Sequence, residues 1–130
     1  MSVNYSTAVK TARMLAVRDQ IDAGGAAGRL EICSASYASI LATITLGYSG
    51  SSTGTVSGDT LTLAGFPRSA TAASTGTAVI ARIRTSAGVD VITGLTVGLT
   101  GSGSDIIMDS TSITSGQTVT INSATIQHAA

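Results

Sequence analysis

The stretch Gly24-Gly25-Ala26-Ala27-Gly28-Arg29-Leu30-Glu31-Ile32 decides the fold, because the spacing of apolar residues changes within it. Before this stretch, apolar residues recur three or four positions apart, as on an α-helix, and after it they alternate with polar residues, as on β-strands. Paired glycines are a strong helix stop. The sequence therefore predicts an N-terminal helical segment and Gly-rich hinge over residues 1–27 and a β-sandwich domain over residues 28–130, forming one compact unit.

The segment from Ser6 to Ala23 has the composition of a helix, with Ser6 as its N-cap. Its apolar residues fall on two sides. One side carries Met14, Val17 and Ile21, and the other carries alanines with Leu15. Two arrangements are open: one side packs on the sheet and the alanine side stays exposed, or the second side docks on another subunit.

After Gly28 the alternating pattern predicts seven to eight short strands. Ser86-Ala87-Gly88 is typical of a hairpin turn, and a change of phase near Asn122-Ser123 predicts either a β-bulge in the last strand or the end of its buried part. Because only one helix is available, βαβ crossovers are excluded. The predicted fold class is mainly β, an antiparallel β-sandwich or jelly-roll-like domain with one N-terminal α-helix.

The composition argues against chemistry at a catalytic centre. Hydrophobic residues make up 43% of the chain, but aromatic residues only 3% and charged residues 11%, with one His, one Cys and no Trp. Acid–base, nucleophilic and metal chemistry need side chains that are nearly missing here, so we expect a non-enzymatic structural or binding protein without cofactor or metal. A core so poor in large rings favours a homo-oligomer as an extra source of burial.

Charge and cysteine content bound the partners and the compartment. Seven basic and seven acidic residues cancel, which makes nucleic acid and anionic membranes poor partners. No apolar run approaches the length of a membrane span, and the first residues lack a secretory signal pattern. Lone Cys33 fits a reducing compartment, so synthesis in the cytoplasm is expected.

Two motifs could in principle support catalysis or metal binding, but each is a weak signal. Residues 50–54 match the G-x-S-x-G nucleophile elbow, but that motif needs a strand-turn-helix setting, and the only candidate base, His128, is near the chain end. Asp105 and Asp109 share a face of an extended segment and could offer oxygen ligands to Ca²⁺, although solvated or turn-capping carboxylates are the commoner outcome. One His and one Cys cannot make a zinc site.

Arg82 and Arg84 project from one face of a predicted strand. They either stay in solvent or pair with an acid such as Asp90 on the hairpin partner, or they act at an interface, since guanidinium groups suit carboxylates of a neighbouring subunit. Two Ser/Thr/Gly-rich loops, residues 48–54 and 98–104, are either mobile solvated connections or contact loops.

Seven segments carry a resemblance to known proteins, at residues 11–22, 28–32, 41–46, 65–67, 81–84, 90–94 and 109–121. Taken together, they resemble a family of small proteins encoded among the virion genes of tailed bacteriophages. The resemblance covers nearly the whole chain but includes no catalytic signature.

The resemblance implies a capsid decoration (cement) protein that binds the major capsid protein outside the shell as a homo-oligomer, with a trimer expected. It implies location in the virion after synthesis in the host bacterial cytoplasm. A tail, collar or fibre adhesion or assembly module is the alternative, in which Tyr48 and the loops 49–54 and 99–104 contact a host glycan. The candidate interface residues are Val9, Met14, Val17, Ile21, Arg82 and Arg84.

Overall fold

The computed structural model describes residues 5–48 and 53–127, which form one α-helix, one 3₁₀ turn and eleven strands. The helix α1 spans Thr7–Ile21, and the 3₁₀ turn spans Ala35–Tyr37. The strands are β1 Arg29–Cys33, β2 Ile40–Thr45, β3 Gly54–Ser57, β4 Thr60–Leu63, β5 Arg68–Thr71, β6 Gly76–Thr77, β7 Ile80–Arg84, β8 Asp90–Leu99, β9 Ile106–Met108, β10 Ser112–Ile113 and β11 Thr118–Gln127.

Nine of these strands form one sheet, in the order β2-β1-β7-β8-β9-β11-β4-β3, with β5 also paired to β11. The sheet curls until β5 lies beside β2, where the Ala73 N–H donates to the Leu41 carbonyl over 2.8 Å and Arg68 Nη1 donates to the Thr45 carbonyl. Strands β6 and β10 form a separate two-stranded sheet. The mainly β class with an N-terminal helix is confirmed, while a division into two stacked layers or a jelly roll stays a prediction.

Aliphatic residues on the inner face of the curled sheet form the core. On β1, Leu30 and Ile32 are fully buried. On β11, Val119 and Ile121 point inward, the pairing with β9 shifts between Ile121 and Ser123, and burial resumes at Ala124. The predicted bulge near Asn122-Ser123 is therefore confirmed. It lets one long strand keep its apolar side chains inside although their sequence phase changes.

The sequence pattern did not predict four short strands. Seven to eight strands were expected, but β3, β5, β6 and β10 are two to four residues long and rich in Gly, Ser and Thr. Without apolar alternation such segments look like loops. They are strands here because their neighbours supply hydrogen-bonding partners.

One strand pair departs from the antiparallel prediction, since β8 and β9 run parallel with Val97 opposite Ile106. Parallel neighbours usually need a crossover of a dozen or more residues. Here the chain returns within residues 100–105, aided by positive φ angles of 87° at Gly101 and 77° at Gly103. The returning loop lies against Gly98, where a Cβ would collide with the hydroxyls of Ser102 and Ser104.

The helix α1 packs on the sheet of its own chain. Met14 and Ile21 retain only 2% and 0% exposure, whereas the alanines at positions 8, 12 and 16 are exposed. Arg18 Nη1 donates to the Gly54 carbonyl over 3.3 Å, and the Thr53 hydroxyl donates to Asp22 over 2.7 Å. Packing of one side on the sheet is thus confirmed, and docking of the alanine side on another subunit stays a prediction.

Candidate interaction surface

Five charged side chains lie together on the outer surface of β1, β7 and β8. In the strand register, Glu31 lies opposite Arg82, and Arg84 lies between Arg29 on β1 and Asp90 on β8. We call these five residues the arginine face. Their positions follow from the alternation of the strands, which turns Leu30, Ile32, Ala81 and Ile83 inward and the charged residues outward.

The ion pairs of the arginine face are short and partly buried. Arg82 Nε lies 2.7 Å from Glu31 Oε1, and Arg84 Nε lies 2.6 Å from Asp90 Oδ1 and 3.8 Å from Glu31 Oε1. The Glu31 side chain is only 6% exposed, whereas that of Asp90 is 48% exposed. The hydrogen bond that Arg82 donates to Glu31 raises the pKa of the Arg82 guanidinium, which stays charged. Glu31 is thus the buried anchor of both arginines.

Replacing Glu31 with glutamine is expected to lower the free energy of unfolding by about 1 kcal/mol, because the charge that both guanidinium groups approach is lost. Urea unfolding followed by circular dichroism measures this change. Asp90→Asn is the matched control, since the same chemical change at an exposed carboxylate is expected to cost no more than about 0.5 kcal/mol. Equal losses in the two variants would show that Glu31 is not the anchor.

Tyr37 covers the arginine face from the 3₁₀ turn. The Arg82 guanidinium carbon lies 5.1 Å from the centre of the Tyr37 ring, and the Tyr37 hydroxyl accepts a 2.6 Å hydrogen bond from the Gly94 N–H. Gly94 has a φ of 77° and sits where the β7–β8 register shifts, so the tyrosine partners an amide displaced from the ladder. Ser36 and Tyr37 themselves have left-handed φ angles of 57° and 58°, a strained conformation for residues other than glycine.

Cys33 lies at the end of β1, near this face but beneath the surface. It is fully buried, and burial raises the pKa of its thiol despite the opposing charges of Arg82 and Arg84. Since the thiolate is the reactive form, Cys33 is a packing residue in this fold rather than a nucleophile.

The candidate interface residues on the helix differ in their burial. Val9 is exposed over 42% of its surface, but Met14 and Ile21 are buried and Val17 is partly buried against the core. These last three pack against the core of their own chain, and a contact between them and another subunit stays a prediction. Arg82 and Arg84 are paired, as one alternative proposed, and Asp90 is the partner of Arg84.

The weak chemical motifs resolve into structural contacts or lie outside the described residues. Ser52 and His128 belong to the second group. Asp105 Oδ2 accepts hydrogen bonds from both N–H and hydroxyl of Thr96 at 3.1 Å, and Asp109 accepts one from the Asn122 amide at 2.7 Å. The residues considered for Ca²⁺ thus fix the β8–β9 connection and the β11 bulge.

Replacing Asp105 with alanine is expected to lower the free energy of unfolding by about 1 kcal/mol, because two donors of Thr96 lose their acceptor. Thermal unfolding measures the loss. Asp109→Ala removes one hydrogen bond at an exposed site and is expected to have about half that effect. A larger loss for Asp109→Ala would contradict the role of Asp105 in holding the tight parallel connection.

The sequence did not predict that Glu31 is the buried partner of Arg82 and Arg84, or that the Tyr37 ring covers the arginine face. The only signal for Glu31 was its position between Leu30 and Ile32, which predicts an outward carboxylate but not its partner. Tyr37 carried no signal, because its backbone conformation depends on the turn around it.

Within the described residues, no ligand-sized cavity opens at the surface and no three His, Cys, Asp or Glu side chains converge in the manner of metal ligands. No helix in the described part of the chain has the length and apolar character needed to cross a membrane. The chain matches no known protein family, no curated protein and no solved structure.

Proposed function

We propose that this chain is a non-enzymatic structural protein of a bacteriophage virion that decorates the capsid and stabilises it by bridging shell subunits. The resemblance of its helix and strand segments to small virion proteins supports this proposal. The major capsid protein is the partner proposed, and a homotrimer is the assembly proposed.

The observation that carries the proposal is the use of arginine side chains as ties between distant segments. Arg18 reaches the Gly54 carbonyl, Arg29 the Ser86 carbonyl at 2.6 Å, and Arg68 the Thr45 carbonyl. Arg82 and Arg84 join β7 to β1 and β8. Hydrogen bonds from a charged guanidinium are stronger than those between neutral groups, and they hold these segments to one another. A small stiff module suits a part that must hold neighbouring subunits in register.

Symmetry explains how such a module can bind firmly through modest contacts. A shell repeats the same binding surface, and an oligomer that engages several copies gains avidity without any large individual interface. The exposed large apolar side chains of the described residues come from five separate segments of the chain, at Val9, Tyr48, Val79, Val89 and Leu99. Many small contacts rather than one large patch therefore fit this surface.

The test is the copy number of this chain in purified particles of the virus that encodes it, measured by quantitative mass spectrometry against the major capsid protein. A ratio within a few-fold of the capsid protein is the expected result. A handful of copies per particle would favour a tail, collar or fibre position, and absence from the particle would overturn the virion proposal.

A tail or fibre adhesion module is the second proposal, and the exposed ring of Tyr48 favours it. Tyr48 is 46% exposed in the segment that follows β2, and aromatic faces stack on sugar rings. Binding to a host glycan that is lost in Tyr48→Ala, but kept in Tyr5→Ala, would support this alternative over capsid decoration.

A further inference from the structure

We propose that the arginine face binds an extended acidic segment of a partner protein in which two carboxylates are separated by one residue. This inference rests on the proposed function only in naming a shell protein as the source of that segment. The chemistry of recognition is argued from the arginine face itself.

Each arginine of β7 uses only part of its guanidinium within the chain. Arg82 and Arg84 donate to Glu31 and Asp90 through Nε. Among the described residues, the side-chain hydrogen bonds of Arg82 and Arg84 all run through Nε, and the only buried side-chain nitrogen or oxygen left without a partner is Arg18 Nε. The Arg82 and Arg84 side chains keep 15% and 28% of their surface exposed, and a guanidinium held through Nε leaves a planar pair of terminal donors that matches a carboxylate.

The spacing of Arg82 and Arg84 along β7 selects the partner. Residues two apart on a strand project from the same face about 6.6–6.8 Å apart. An extended acidic segment with one residue between its carboxylates has the same repeat, so both carboxylates can meet both guanidinium groups at once. Two adjacent acidic residues of an extended segment point to opposite faces and can present only one carboxylate.

The arginine face is held rigid before any partner arrives. Glu31 and Asp90 fix the two Nε atoms, while the Tyr37 ring limits rotation of the Arg82 guanidinium. The left-handed backbone at Ser36 and Tyr37 places that ring and is maintained although it is strained. Side chains already fixed lose less entropy on binding, which favours association with a small partner.

The charge of the arginine face favours an anion. Arg29, Arg82 and Arg84 outnumber Glu31 and Asp90, so this patch carries one net positive charge in a chain whose formal net charge is zero. Arg29 lies directly across from Arg84, and its side chain donates to the Ser86 carbonyl. This hydrogen bond keeps the third positive charge close to those of Arg82 and Arg84. An acidic segment gains attraction here that a neutral segment of equal length does not.

Two peptides of identical composition test the spacing directly. One has the order threonine-glutamate-threonine-glutamate-threonine, and the other threonine-threonine-glutamate-glutamate-threonine, both with blocked ends. Titration into the full ¹⁵N-labelled chain at low salt is followed by NMR at the arginine Nε–H signals. The alternating peptide is expected to bind about three- to tenfold more tightly, with the largest shifts at Arg82 and Arg84. Equal affinities, or shifts spread over all arginines, would overturn the proposal.

A charge-preserving variant separates recognition by the guanidinium from simple attraction. Arg84→Lys keeps the positive charge but loses the planar donor pair, and we expect it to reduce the preference for the alternating peptide to less than twofold. Arg13→Lys is the matched control on the helix and is expected to leave the preference unchanged, with backbone amide spectra confirming the fold of both variants. An unchanged preference in Arg84→Lys would overturn the proposal. Because no virus enters these experiments, their failure leaves the copy-number test of the proposed function standing.

Discussion

Replacing Ile21 with alanine is expected to lower the free energy of unfolding by about 2–4 kcal/mol, the largest effect we expect from a single truncation of the helix. Ile21 is fully buried at the C-terminal end of α1 and belongs to the same hydrophobic cluster as the strands. Truncation removes apolar area from the core and leaves a cavity that the packed backbone around Gly28 cannot fill. Urea unfolding of the full chain measures the change.

Val9→Ala is the control for this prediction, because it shortens an aliphatic side chain of the same helix at a position 42% exposed. Its expected effect is within about 0.5 kcal/mol. If both variants unfold like the original chain, α1 does not pack on its own sheet in solution. An effect of Ile21→Ala that depended on protein concentration would instead indicate that the helix packs on a neighbouring copy.

The sequence predicted the helix and the residues on each of its two apolar sides, but not which side is buried. The spacing of Met14, Val17 and Ile21 showed which residues share a side, and Gly24-Gly25 showed where the helix ends. It could not show which side is buried, because the partners of α1 include β3 and β4. The first of these strands has no apolar alternation to reveal it, and the burial of the helix depends on contacts that the local pattern does not contain.

The arginine face divides in the same way between local and distant contacts. Arg84 and Asp90 are six residues apart across a hairpin turn, so their pairing could be predicted from the sequence. Arg82 and Glu31 are 51 residues apart, and their contact exists only because β1 and β7 are neighbours in the sheet. Strand order is set by the whole fold, which is why the buried anchor of the site could not be found from sequence.

Replacing Gly28 with alanine is expected to lower the free energy of unfolding by about 1–3 kcal/mol, although alanine is the smallest possible addition. A Cβ at this position would lie 2.6 Å from Ile21 Cγ2, 2.9 Å from the Ile21 carbonyl oxygen and 3.0 Å from the Arg84 carbonyl oxygen. Two of these atoms are backbone, so relief requires the end of α1 to move away from β1 and β7. The sequence presented residues 24–28 as a flexible hinge, but Gly28 is a close-packed contact between helix and sheet.

Gly24→Ala is the matched control, because its closest obstruction is the rotatable hydroxyl of Ser86, with backbone nitrogens no nearer than 3.2 Å. Its expected loss in thermal or urea unfolding is below about 1 kcal/mol. A double-mutant cycle locates the strain: in an Ile21→Ala background the nearest colliding atom is gone, so Gly28→Ala should cost less than it does alone. If the two substitutions were strictly additive, or Gly24→Ala cost as much as Gly28→Ala, the close packing between Gly28 and Ile21 would not be what holds the helix to the sheet.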